Sequence, residues 1–173
     1  MNPPKQIGLL VLVAGLLASA IHPYDRPTWL LEVFPALIGV PILLSVERRH
    51  SVTTLLFVLV IAHCLVLIYG GAYTYARVPL GFWMQEWFGF ARNNYDRIGH
   101  FMQGFVPALI ARETLMRSAG LKDVRYIAFL CICVSLAVSA AYELVEWWAA
   151  LILGQGADEF LGTQGDPWDT QSD

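Results

Sequence analysis

Long apolar runs separated by short polar connections organise this chain. Five runs of roughly 20 mostly apolar residues, about what a ~30 Å hydrocarbon core requires, lie near residues 6–22, 28–46, 52–75, 95–115 and 124–153. None alternates apolar with polar positions, so each predicts a helix that closes its own backbone hydrogen bonds and not a barrel strand. The last is long enough to tilt or to project beyond the lipid. Residues 80–92, LGFWMQEWFGFAR, set five large aromatics around Gln85, Glu86 and Arg92, the pattern of a short amphipathic helix lying in a membrane interface.

Connections such as Glu47 to Ser51 are short, which makes successive helices antiparallel neighbours. The predicted fold is therefore all-α: a polytopic transmembrane helical bundle of about five helices plus a short interfacial amphipathic helix. One membrane domain covers residues 1–153, and an acidic extracytoplasmic segment, 154–173, follows it. Ala18-Ser19-Ala20 after a short apolar stretch mimics a signal-peptidase site, and the stretch is expected to be retained as the first helix.

Composition agrees with the pattern. Of 173 residues 57% are hydrophobic and 14% charged, against roughly 25% charged in soluble domains, and the mean hydropathy is +0.54. The net charge of -3, from 11 basic and 14 acidic residues, leaves no basic field for nucleic acid. Cys64, Cys131 and Cys133 all lie in apolar runs without metal-type spacing and read as small buried hydrophobes.

The basic residues set an orientation. Lys5, Arg48, Arg49, Arg112, Arg117, Lys122 and Arg125 fall on one side and only Arg26, Arg77, Arg92 and Arg97 on the other, so the N-terminus of this multi-pass chain is expected on the cytoplasmic side. The remaining polar residues are the informative ones, because an ionisable side chain at mid-helix costs about 2.5–3.5 kcal/mol on insertion scales. Asp96, His100 and Gln103 share one face near the outer start of the fourth long helix, by their spacing of four and three. Glu143 and Glu146 share a face of the fifth, with Tyr142 beside them, and Glu32 lies near the outer end of the second. Asp166-Pro167-Trp168-Asp169 makes a polar turn on the same side. Carboxylates and imidazoles thus converge in the outer third of the membrane.

Simpler readings stand beside this one. Asp96 could serve as an N-cap with Asn93 and Asn94 as rivals, Glu32 could pair with Arg26, and His63 reads as a packed residue. For the cluster itself three chemistries are open. His100, Glu143, Glu146, Asp166 and Asp169 carry the donors that suit a divalent ion such as Mg, Mn or Zn, although no compact metal motif is present. Without metal, two acids on one face leave one as a general acid or base with His100 as partner. Buried acids also carry protons or cations.

Three motifs in order carry a family resemblance: Asn94-Tyr95-Asp96-Arg97-Ile98-Gly99-His100-Phe101, Tyr142-Glu143-Leu144-Val145-Glu146-Trp147 and Gly165-Asp166-Pro167-Trp168-Asp169-Thr170-Gln171. Together they resemble the bacterial inner-membrane proteins of the YjdF type, over nearly the whole chain, and more distantly the VanZ-like proteins. The resemblance implies membrane location and a polar cluster near one membrane face; it supplies no reaction. It also implies a further transmembrane helix after the Asp169 region, whereas the sequence stops at Ser172-Asp173: either the sequence is truncated before that helix or the helix is absent, and in the second case the wall around Glu143 and Glu146 is expected to open to lipid. The expected partners are membrane lipids and a lipid-linked envelope substrate, with Asp96, His100, Glu143, Glu146, Asp166 and Asp169 as candidate catalytic residues. A proton or ion pathway and a structural role are the alternatives, and the oligomeric state is not legible.

Overall fold

A computed structural model describes residues 1–153, with Glu146, Ala150 and Leu153 described by their backbone alone. Six helices follow one another: α1 (Pro3–Ile21), α2 (Arg26–Arg49), α3 (Thr54–Tyr73), α4 (Pro79–Phe88), α5 (Tyr95–Arg117) and α6 (Val124–Leu153). Local sequence starts them. Asn2, Asp25 and Thr53 cap α1, α2 and α3 by accepting the amides of Lys5, Thr28 and Leu56, and Pro occupies the first turn of α1, α2 and α4, where its missing N–H costs nothing. Asp123 accepts the amides of Arg125 and Tyr126 at the start of α6.

α3 is the hub. It packs against α1, α2 and α5, and α6 is joined to the rest chiefly through α5. Half of the apolar window of α3 is buried, against 11% for α1, 22% for α2 and 6% for α6, so the outer helices turn most of their apolar surface outward. Val33, Phe57 and Val106 are the closely packed centre of this arrangement. Apolar side chains facing away from the protein, among them Leu10, Leu55, Phe129 and Leu136, are what a bilayer solvates and water does not.

Among the described residues four helices are long and apolar enough to cross a membrane: α1, α2, α3 and the Val124–Ala149 part of α6. α5, expected as a span like the others, has the length, 23 residues or about 34 Å at ~1.5 Å per residue, but not the apolarity. Its Asp96, Gly99 and Gln103 are buried while Phe101 and Phe105 stack on each other at its exposed surface. Polar and apolar stripes offset each other in the average, which hides a helix built to bury its polar face.

Three further expectations change. The amphipathic segment stops at Phe88, because Gly89 takes a left-handed conformation (φ 68°) and its N–H caps Gln85, leaving Arg92 outside the helix. Cys133 is exposed, unlike the buried Cys64 and Cys131, because it falls on the outward side of α6. Lys5 is more than an orientation signal: it is 3% exposed, and its ammonium meets both Glu47 oxygens at 2.8 and 2.9 Å and donates to the Val52 carbonyl. Glu47 in turn accepts the Val52 amide, so this ion pair fixes the α2–α3 turn onto α1.

Candidate functional site

At the opposite end of the bundle, Glu32 in the second turn of α2 is 3% exposed. α3 lies close enough there that a Cβ on Gly71 would come 2.8 Å from the Glu32 Cβ, so glycine is what admits the carboxylate between the helices. The Glu32 Oε2 accepts the Tyr142 hydroxyl at 3.4 Å, and Tyr75 donates a second side-chain hydrogen bond. These hydroxyls, and not Arg26, are the partners found. They tie α2 to α6 and to the connection after α3.

Tyr75 reaches Glu32 from an unusual backbone. Thr74 and Tyr75 both have positive φ, 55° and 41°, without being glycine, a conformation costing about 1–3 kcal/mol each. The Tyr75 amide returns to the Gly70 carbonyl at 2.9 Å, and its ring fills a slot between α3 and α5. A Cβ on Gly70 would collide with the ring, and one on Gly99 would come 2.9 Å from it.

The start of α5 is fastened to the same place. Asn93, 1% exposed, donates to the Val78 carbonyl at 3.0 Å and accepts the Tyr95 amide at 3.1 Å, with Gly81 of α4 leaving room for its amide group. The Tyr95 hydroxyl donates to the Val66 carbonyl, and its ring meets those of Tyr69 and Tyr75 at 5.6 and 5.7 Å. Asn94 occupies the cap position of α5 without a side-chain cap bond, so Asp96 is not the N-cap. It lies in the first turn, where the helix dipole favours an acid, and pairs with Arg92 at 2.7 Å.

One turn on, His100 Nδ1 lies 3.7 Å from Glu143 Oε1 across the α5–α6 contact, with the two side chains 15% and 20% exposed. That is an ion-pair distance and longer than a direct hydrogen bond. Among the described residues, Asp96 Oδ1 and Gln103 Nε2 are buried side-chain atoms without a hydrogen-bond partner, one an acceptor and one a donor flanking His100 on α5. Buried polar atoms of this kind are expected to find water or a ligand.

The structure therefore brings together His100 with Glu143, Asp96 with Arg92, and Glu32 with Tyr142. The Glu146 side chain and residues Asp166 and Asp169 lie outside the described residues. Among the described residues no three His, Cys, Asp or Glu side chains gather to hold a metal ion; His100 and Glu143 supply two donors of the kind a divalent ion takes. Sequence reasoning missed Arg92 as the partner of Asp96 and missed Tyr75, whereas Asn93, weighed there as a cap, does accept the Tyr95 amide. The Gly70-Gly71 pair closing an apolar run was the available signal for a close approach of helices.

The chain is 56% identical over 164 residues to the inner membrane protein YjdF of Escherichia coli (strain K12), covering 95% of this chain and 78% of that protein. No solved structure matches it. Residues 5–173 match the DUF2238 family of predicted membrane proteins, and a chain matched over so much of its length belongs to that family of multi-pass membrane proteins.

Proposed function

We propose that this protein acts on the polar part of a lipid or lipid-linked envelope substrate, at the extracytoplasmic face of the membrane, with His100 and Glu143 as its proton-transfer pair. The observation that carries the reading is the 3.7 Å approach of His100 to Glu143, both side chains largely but not fully buried, a setting where a base and its partner can exchange a proton with a bound group. Asp96, held by Arg92, offers an acceptor and Gln103 a donor on the same helix face. Glu32, Tyr75 and Tyr142 act one step back: Tyr142 precedes Glu143 in α6, so the Tyr142–Glu32 bond sets where Glu143 stands. The exposed Trp83, Trp87 and Phe88 of α4 suit a headgroup layer in which such a substrate lies. The excess of basic residues at the Lys5 end supports the orientation. Should a divalent ion take part, His100 and Glu143 would be joined by Glu146, Asp166 and Asp169.

A second reading, a proton pathway, is favoured by one feature, the buried Glu32 with a tyrosine hydroxyl on either side. The two separate experimentally. Lipid extracts of cells with and without the protein should differ, and His100→Ala or Glu143→Gln, present in the membrane at wild-type amounts, should restore the pattern of cells lacking it. Identical extracts in all four strains, together with proton flux into liposomes that Glu32→Gln abolishes, would replace the first reading with the second.

A further inference from the structure

Charge is scarce in this chain, and nearly every carboxylate has a partner. Among the acids whose side chains the structure describes, Asp25 and Asp123 cap helices. Glu32, Glu47, Asp96, Glu113 and Glu143 meet a tyrosine hydroxyl, Lys5, Arg92, Arg117 and His100 in turn. Glu86 of α4 is left. It is exposed, and among the described residues no hydrogen bond or ion pair reaches it. The arginines nearest to it in sequence are engaged elsewhere, Arg92 with Asp96 at 2.7 Å and Arg77 over the Tyr24 ring at 4.3 Å.

The surroundings of Glu86 are aromatic. Gly81, which makes room for the Asn93 amide, marks the side of α4 turned toward the protein. At about 100° per residue Glu86 falls on the far side, one turn from both Phe82 and Trp83, with Trp87 one turn beyond Trp83. These three rings are 45%, 54% and 69% exposed, so they share the outward face with the carboxylate. α4 joins the ends of α3 and α5 that lie opposite Lys5, which sets it along the headgroup layer, where amphipathic aromatic rings partition. A carboxylate among ring faces in that layer suits an ammonium group: the acid supplies the opposite charge, and an indole face attracts a cation within about 6 Å of its centre. The same carboxylate repels a phosphate.

We infer that the outward face of α4 binds the ammonium headgroup of a phospholipid, with the Glu86 carboxylate as its counter-charge and Phe82, Trp83 and Trp87 as the rings beside it. The occupant follows from charge complementarity, since the face carries an unpartnered anion and no cation, and from the layer in which α4 lies. A second copy of the chain docking through α4 would bring another Glu86 against the first. The site is separate from the His100–Glu143 pair and does not depend on what that pair does.

The test uses the full chain reconstituted into vesicles of equal parts phosphatidylethanolamine and phosphatidylglycerol, released in mild detergent and weighed by native mass spectrometry. The ratio of phosphatidylethanolamine to phosphatidylglycerol retained per chain should fall several-fold from the wild type to Glu86→Gln and further in Glu86→Lys. Melting temperatures should be kept, because Glu86 is exposed and has no partner to lose. Trp83→Leu with Trp87→Leu retains the carboxylate and an apolar surface but removes the indole faces, and should also lower the ratio. An equal ratio in the wild type and Glu86→Gln, an unchanged ratio in the paired tryptophan variant, or a bound mass equal to a second chain in place of lipid would each overturn the inference.

Discussion

Two glycines of α5, five residues apart, have different jobs. Gly99 gives space to the Tyr75 ring, whereas a Cβ on Gly104 would meet nothing within 4 Å. Gly99→Ala must push the ring or the helix, so it should lower unfolding stability in detergent by about 1–3 kcal/mol, the usual cost of overpacking. Gly104→Ala should keep stability or raise it by up to about 1 kcal/mol, since helix glycines are entropically costly. Equal thermal melting of the two variants would mean that Tyr75 is not wedged where it is described. The Lys5–Glu47 pair gives a second contrast. Lys5→Met leaves Glu47 buried without its cation and should cost about 3 kcal/mol, the low end for breaking a buried pair. Adding Glu47→Leu should recover most of that loss, and a double variant no more stable than Lys5→Met would show that the charges were not the issue. Neither contrast was legible in the sequence: Lys5 read as an orientation signal because burial of an early lysine depends on where a turn 47 residues later comes to lie, and Tyr75 read as the last residue of the third helical run because left-handed backbone at a tyrosine has no local signature.

At the scale of elements, the hydrophobic runs located the five long helices because a membrane span imposes its length on the sequence. The spacing of Asp96, His100 and Gln103 likewise placed them on one face of α5, since helical periodicity is local. What periodicity could not give was the direction of that face, which depends on α3 and α6 closing over it. α5 has the length of a span but low apolarity; because its polar stripe is covered by neighbours, it is expected to cross the membrane with the others. Cysteine labelling checks this. In a background with Cys64, Cys131 and Cys133 replaced by alanine, Phe90→Cys should react with an impermeant thiol reagent added to intact spheroplasts, and Ser118→Cys only after permeabilisation. Labelling of both from outside would place the ends of α5 on one side and remove it from the set of spans.

The whole molecule has two differently built ends. The Lys5 end joins α1, α2, α3 and α5 through an ion pair and carbonyl contacts around a short turn, and the far end gathers Glu32, Asp96, His100 and Glu143 from three helices with tyrosines between them. The sequence reading expected carboxylates and imidazoles at this end from depth alone, since antiparallel helices of known length return their ends to the same faces. It could not pair the residues, because partners such as Tyr142 and Glu32, 110 positions apart, are chosen by packing. The most direct measurement of what this end does is a time course with purified protein in vesicles made from the envelope lipids of the source cells, followed by mass spectrometry. New lipid species should accumulate with the wild-type chain and fail to do so with His100→Ala and with Glu143→Gln, each folded as judged by melting. An unchanged lipid spectrum with the wild type, or the same new species with both variants, would contradict a reaction at the His100–Glu143 pair.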